Sequence, residues 1–215
     1  MKSKILLPIV IILFATTAAN AQINEGRYLL GGSFGFSNAK NPQTTGAQNQ
    51  RLYTNIQFGK VIKENTVAGV ILSYGYSKND STAKLNQYGA GVFYRKYKPI
   101  AKNFYFFGEA DALYNYANNT QGNFQIGGNG TRYTSNTGSL TFTPGISYSL
   151  CKRVQMELLM QNLISLSYGT LKTETTSMGA SDISTSKSNN FSADVNVNSN
   201  LGNSFAIGFK FLLGK

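Results

Sequence analysis

The feature that most constrains this chain is an alternation of apolar with small or polar residues, which recurs along nearly its whole length. In the clearest instance, Phe205, Ile207, Phe209, Phe211 and Leu213 occupy alternate positions, with Ala206, Gly208 and Lys210 between the first four. Successive side chains of a β-strand point to opposite faces, so the pattern predicts strands with one apolar and one polar face. We predict eight strands, near 27–38, 51–62, 66–77, 85–97, 103–116, 138–150, 154–169 and 203–213.

The predicted connections alternate between short and long. The short ones lie at 61–65, 99–102 and 151–153, and the long polar ones at 38–50, 77–84, 118–137 and 170–190. Short turns at one end and long loops at the other are typical of outer-membrane barrels. We therefore predict an all-β fold, an eight-stranded antiparallel up-and-down transmembrane β-barrel. The segment at 189–199 also alternates, and it either extends the eighth strand or adds a further one.

The first 21 residues have the three parts of a secretory signal peptide. Lys2 and Lys4 precede an apolar run at 5–14, and Ala19-Asn20-Ala21 supplies a small-residue cleavage site. The apolar run is too short to span a membrane as a helix. We expect a signal peptide at 1–21 and one barrel domain at 22–215, exported to the outer membrane.

The composition of the two strand faces indicates which one points outward. Charged residues make up 13% of the chain, against about 25% in a typical soluble domain. The polar face consists mostly of Gly, Ser, Thr, Asn and Gln, which suits a narrow, crowded barrel interior. Tyr and Phe lie near the strand ends of the apolar face, as in the aromatic girdles of membrane barrels. The alternative is a soluble periplasmic barrel whose apolar face lines a ligand cavity.

Two hairpins resemble those of a known family. YGAGVFYRKY at 88–97, followed by NFYFFGE at 103–109, resembles the middle hairpin of small outer-membrane β-barrel proteins of Bacteroidetes-type bacteria. GKVI at 59–62 with NTVAG at 65–69 resembles the second hairpin of this "porin family". PGISY at 144–148 and IGFKF at 207–211 also fit, so the resemblance covers nearly all of the mature chain.

The resemblance implies an OmpA/OmpX-type barrel in a Gram-negative outer membrane, usually without an assigned activity. The outer-membrane assembly machinery is then an expected partner during biogenesis. The chain departs from the pattern at its end, where many such barrels have an aromatic residue that this machinery reads. Here Phe211 is followed by Leu-Leu-Gly-Lys.

Few charged residues fall on the predicted lumen face. They are Arg95, Glu109, Asp111, Glu157 and Lys210. Buried charges need partners, so we predict that these five form a structural ion-pair network that fills the lumen. The alternative is an ion or proton path in a small porin-like channel, which requires the segment at 189–199 to widen the barrel.

The chain contains no histidine and a single cysteine, Cys151. These counts exclude Ser-His-Asp hydrolases, HExxH proteases, most zinc sites and a disulfide within the chain. We expect no catalysis, no cofactor and no metal. The expected role of the protein is structural or interactive, carried out by long extracellular loops of a monomer.

The formal net charge of +11 predicts contacts with anionic surfaces. We predict that outer-membrane lipids and lipopolysaccharide are partners, with lipid phosphates contacting Lys78, Lys84, Arg132 and Lys172. The alternative is that these side chains are solvated at the membrane rim. Nucleic-acid binding is not expected, because the chain is exported and its basic residues form neither a helix nor an aromatic platform.

Overall fold

A computed structural model describes residues 23–40, 48–79, 83–125, 128–160, 162–179, 182–195 and 205–214. The predicted signal peptide lies outside this part of the chain. Among the described residues, no helix is long and apolar enough to cross a membrane. The strands are β1 (Tyr28–Lys40), β2 (Gln48–Lys63), β3 (Thr66–Asn79), β4 (Ala83–Ala101), β5 (Phe104–Gly122), β6 (Gly130–Ser149), β7 (Val154–Met160), β8 (Ile164–Thr176), β9 (Ser184–Val195) and β10 (Phe205–Leu213).

These strands form the eight sides of a closed antiparallel β-barrel, which confirms the predicted fold class. Each of β1 to β6 forms one side, β7 and β8 share the seventh, and β9 and β10 share the eighth. Strand β6 pairs with β7 through Gly145–Ser149 and with β8 through Gly130–Phe142. The barrel closes where β1 pairs with β10.

The prediction of one continuous strand at 154–169 is wrong, because the chain leaves the ladder between β7 and β8. Asn162 lies in this break with a left-handed φ of 49°. Its backbone N–H donates a hydrogen bond of 3.2 Å to Thr143 Oγ1 on β6. Asn tolerates this conformation better than most residues, and the side-chain acceptor replaces the lost ladder bond.

The connections lie at two ends of the barrel. The end with the turns at 64–65, 102–103 and 150–153 is called the turn end below, and the opposite end the loop end. The predicted long loops at 118–137 and 170–190 are wrong, because most of these residues continue the strands. Asn118 pairs with Thr134, and Lys172 pairs with Lys187. Extending a hairpin satisfies backbone donors and acceptors whatever the polarity of the side chains, and Thr favours the strand conformation.

The strand bounds answer part of the question whether the segment at 189–199 extends the eighth strand or adds another. Residues up to Val195 belong to β9, which is a strand separate from β10. β9 pairs with β8 over Ser184–Val195, so it lengthens the eighth side and does not add a ninth. Residues 196–199 lie outside the described part of the chain.

The outward face of the barrel is apolar. Along β4, the outward positions from the turn end to the loop end are Lys98, Lys96, Tyr94, Val92, Ala90, Tyr88, Asn86 and Lys84. Val92 is 57% exposed, whereas Phe93 and Arg95 on the inward face are buried. The same orientation holds on β1, where Phe34 is 73% exposed. On β4 the apolar centre thus lies between Tyr94 and Tyr88, with lysines beyond them, and exposed large apolar side chains on the other strands continue this face as an apolar belt.

The turn end of the lumen is filled by a buried apolar core. Residues 23–27 cross this end and hydrogen-bond to the β2–β3 hairpin. The Asn65 N–H donates to Ile23 O at 3.1 Å, and the Gly26 N–H donates to Val61 O at 3.0 Å. The core consists of Ile23, Leu29, Val61, Val67, Ile71, Phe93, Tyr97, Tyr105, Phe107 and Leu212.

Candidate functional site

The lumen contains a charged layer centred on Arg95, which is 1% exposed. Its Nε lies 2.7 Å from Glu109 Oε2, and its Nη1 lies 2.5 Å from Glu157 Oε1. Arg95 and Glu109 are direct cross-strand partners on β4 and β5, while Glu157 reaches the same point from β7. The guanidinium also stacks 4.3 Å above the ring centroid of Phe107. One cation thus ties together strands from different parts of the barrel wall.

A chain of contacts connects this centre to Lys210 on β10. Glu109 Oε1 accepts a hydrogen bond of 3.1 Å from Gln57 Nε2. Gln57 Oε1 in turn accepts one from Lys210 Nζ. Gly31 is the cross-strand neighbour of Lys210, and a Cβ at this position would collide with the lysine side chain. The absence of a side chain at Gly31 therefore gives Lys210 the room to lie in the lumen.

Three polar residues on the turn side of the layer, Tyr97, Ser149 and Gln155, were not predicted to belong to the site. Their inward positions on the strands are the signal that could have indicated them. The Tyr97 hydroxyl accepts a hydrogen bond of 3.0 Å from Arg95 Nη1. It lies 3.4 Å from both Gln155 Oε1 and Glu157 Oε1, so its proton has two acceptors. Gln155 Nε2 donates to Ser149 Oγ at 3.4 Å. These residues separate the charges from the apolar core.

The structure thus brings Arg95, Glu109 and Glu157 into ion pairs, and it links Lys210 to Glu109 through Gln57. Asp111 makes no ion pair among the described residues. Its Oδ2 accepts a hydrogen bond of 3.2 Å from Thr141 Oγ1, while its buried Oδ1 has no hydrogen-bond partner in the part of the chain that the structure describes. Two cations and three carboxylates give this layer a formal charge of −1.

A cavity of about 390 Å³ lies on the loop side of the charged layer. Arg95, Glu109, Asp111 and Lys210 line one part of it, and neutral polar residues such as Asn55 line another. The prediction of a filled lumen therefore describes the turn end but not this part of the barrel. The cavity is therefore polar on this side, and fixed charges of both signs line it.

The four cations predicted to contact lipid phosphates differ in their surroundings. Lys78 and Lys84 are exposed cross-strand neighbours next to the β3–β4 connection, and Lys84 Nζ lies 6.0 Å from the ring centroid of Tyr76. Arg132 stacks 4.1 Å above Phe124, and Lys172 pairs with Glu174 at 2.5 Å. Lys78 and Lys84 thus place two positive charges next to each other, and Lys172 likewise has Lys187 as its cross-strand neighbour.

Cys151 is a free, exposed thiol in the β6–β7 turn. In the described part of the chain, no group of three or more His, Cys, Asp or Glu residues is arranged to hold a metal ion.

Comparison with protein-family models finds no match, and comparison with curated proteins finds none either.

Proposed function

We propose that this chain is an outer-membrane β-barrel protein with a structural or interaction role and no catalytic activity. A cleavable signal peptide at 1–21 directs its export. The protein is a monomer, and its apolar belt lies in the bilayer. The turn end faces the periplasm, and the loop end faces outward. Outer-membrane lipids and lipopolysaccharide are its surroundings, and the outer-membrane assembly machinery inserts it.

The observation that carries this proposal is the inversion of the two faces. Phe34, Val92 and many other large apolar side chains are exposed on the outside, whereas Arg95, Glu109 and Glu157 are buried inside. A soluble protein rarely exposes a contiguous apolar patch larger than a few hundred Å². In a bilayer the same face is favourable, and pairing between neighbouring strands satisfies most of the backbone groups of the barrel wall in the hydrocarbon. The belt therefore argues against the soluble ligand-binding barrel.

The interaction role rests on the hairpins at the loop end. β5–β6 and β8–β9 continue beyond the apolar belt with Asn, Ser and Thr, and nearly all of β9 is exposed. In a cell envelope these extensions would project from the membrane. They take the place of the long loops expected from the sequence, and they provide extended polar surfaces for external partners.

A porin-like channel is disfavoured by the turn end. The apolar core around Leu29, Val61 and Phe107 closes the lumen there, and the Arg95 layer lies directly above it. Eight-stranded barrels have interiors that side chains can fill. Planar-bilayer recordings should therefore show no steady conductance steps, and regular steps would favour the channel.

We expect the protein to be found in the outer-membrane fraction and to change its gel mobility on heating. A closed barrel resists SDS at room temperature and migrates as a compact species, whereas boiling unfolds it. The measurement compares heated and unheated samples of that fraction in SDS gels, with a urea-denatured sample as the control. Release with the soluble periplasm and unchanged mobility would contradict the proposal.

Cys151 provides a test of orientation, because it is the only cysteine of the chain. We expect a membrane-impermeant maleimide to label it only after the outer membrane is permeabilised. The matched variant is Cys151→Ser with Ser177→Cys, which moves the thiol to the exposed β8–β9 connection. This variant should be labelled in intact cells. The reverse pattern would place the turn end outside.

A further inference from the structure

The barrel wall has a seam between β1 and β10. Their register ends at the pair Gly31↔Lys210, although β1 continues along β2 towards the loop end. β10 likewise continues along β7 as far as Phe205↔Met160. Beyond Gly31, the described residues therefore pair β1 on one side only and β10 on one side only.

The lining of the lumen cavity includes residues of this seam. Around most of the wall, the residues that line the cavity are inward-facing ones, such as Asn55, Gln57 and Asp111. Among the described residues, the outward-facing ones that line it are Gly32, Ile207 and Phe209, and all three flank the seam. The inward positions beside the seam, Ser33, Ala206 and Gly208, are small. At the seam, the lining of the cavity thus extends to residues of the apolar outer face of the barrel.

The two ends of this passage differ in chemistry. At its inner end, Asp111 is 9% exposed, and its Oδ1, which has no partner among the described residues, can accept a hydrogen bond from a cation. Lys210 also lines the cavity, and among the described residues its ammonium bonds only to Gln57. At the outer end, Ile207 and Phe209 are 73% and 50% exposed, and Phe34 lies on the neighbouring strand. A ligand that fits both ends has a zwitterionic head and an apolar tail.

We propose that the cavity and the seam together bind a single-chain zwitterionic phospholipid. Its ammonium lies beside Asp111, its phosphate beside Lys210, and its acyl chain passes between Gly32 and Phe209 onto the outer face. The volume of about 390 Å³ is near the lower end of the range for small-molecule sites, so it suits a head group and not a whole lipid. The inference rests on the proposed membrane location, because the chain lies against lipid.

The test is native mass spectrometry of the purified full chain in detergent, titrated with lysophosphatidylethanolamine. We expect one bound molecule per barrel. Lysophosphatidylglycerol should bind about tenfold more weakly, because its head offers no ammonium to Asp111. Phosphoethanolamine without an acyl chain should also bind at least tenfold more weakly, because it gains nothing from the outer face. Equal binding of the three probes would overturn the proposal.

Two variants test the two ends of the site. Asp111→Asn keeps the size of the side chain and should weaken binding about tenfold, since a charge-assisted hydrogen bond is lost. Gly208→Leu fills the cavity beside the seam, where a Cβ meets only Leu159 at 3.8 Å, and should weaken binding by a similar factor. The matched control is Gly35→Leu, because a Cβ there meets nothing within 4 Å and Gly35 is not part of the cavity lining. Binding that none of these changes affects would mean ordinary lipid adhering to the belt.

The heat-dependent gel shift, measured on the same samples, separates the two proposals. A sample that shifts on heating but binds no lysolipid contradicts the lipid site and leaves the membrane barrel intact. A wild-type protein that shows no shift and stays soluble contradicts both. A variant that does not shift is unfolded, and the lysophosphatidylglycerol comparison on wild-type protein then decides the case.

Discussion

Replacing Arg95 with methionine is expected to lower the free energy of unfolding by about 3–5 kcal/mol. Arg95 is the shared partner of Glu109 and Glu157, at 2.7 and 2.5 Å, so its loss leaves two buried carboxylates without a cation. An unpaired buried charge cannot recover its hydration, and this cost exceeds what the methionine gains by packing. The change is measured by urea titration of the protein folded in lipid vesicles. Unfolding is monitored by circular dichroism or by tyrosine fluorescence, because the chain contains no tryptophan.

Arg153→Met is the matched control, because Arg153 is exposed in the β6–β7 turn. Its effect should stay within about 0.5 kcal/mol. The triple variant Arg95→Met, Glu109→Gln, Glu157→Gln removes the stranded charges and should recover part of the loss. An unfolding free energy that Arg95→Met leaves unchanged would mean that the layer contributes nothing to stability.

Placing a charge on the outer belt should have the second large effect. Val92→Arg is expected to lower the free energy of unfolding from the bilayer by about 2–4 kcal/mol, the cost of arginine near the membrane midplane. Val92 lies between Tyr94 and Tyr88 on the outward face of β4, so it occupies the apolar centre of that face. The same urea titration in vesicles reports the change, and heat-shifted gels report how much protein folds.

Asn86→Arg is the control, since Asn86 follows Tyr88 on the same face of the same strand. It should cost no more than about 1 kcal/mol, as expected near an interface. In a soluble barrel, by contrast, Val92→Arg would be an ordinary surface substitution with an effect of about 0.5 kcal/mol or less. Equal, small effects of both variants would therefore contradict the membrane location.

The limits of sequence reasoning show most clearly in the lumen. Arg95 and Glu109 could be paired in advance because one short turn joins their strands and both occupy inward positions. Asp111 also lies inward, but nothing in its spacing indicated that it would bond to Thr141 and keep one oxygen free. Which carboxylate pairs with a cation depends on how far the side chains extend across the lumen. The alternation pattern contains no information about these distances.

The polar segments at 118–137 and 170–190 show a different limit. Their composition is that of loops, yet Asn118 and Lys172 lie in continuous ladders. Hydrophobic alternation indicates a strand only where one of its faces is apolar. A strand that is polar on both faces therefore shows no alternation and is not predicted. The backbone hydrogen bonds that extend these hairpins are independent of the side chains that the pattern is read from.

By itself, the sequence determined the number of sides, the antiparallel order and the direction in which each face points. The period of two marks each strand, the short connections join antiparallel neighbours, and the small residues of the polar face suit a narrow interior. Only the tertiary structure decided where the wall is complete. The register that stops at Gly31↔Lys210, the break at Asn162 and the core under Ile23 all depend on contacts between residues far apart in the chain. A barrel closes only when the registers of all eight sides are compatible. The local sequence pattern therefore does not predict where closure leaves a seam or a cavity.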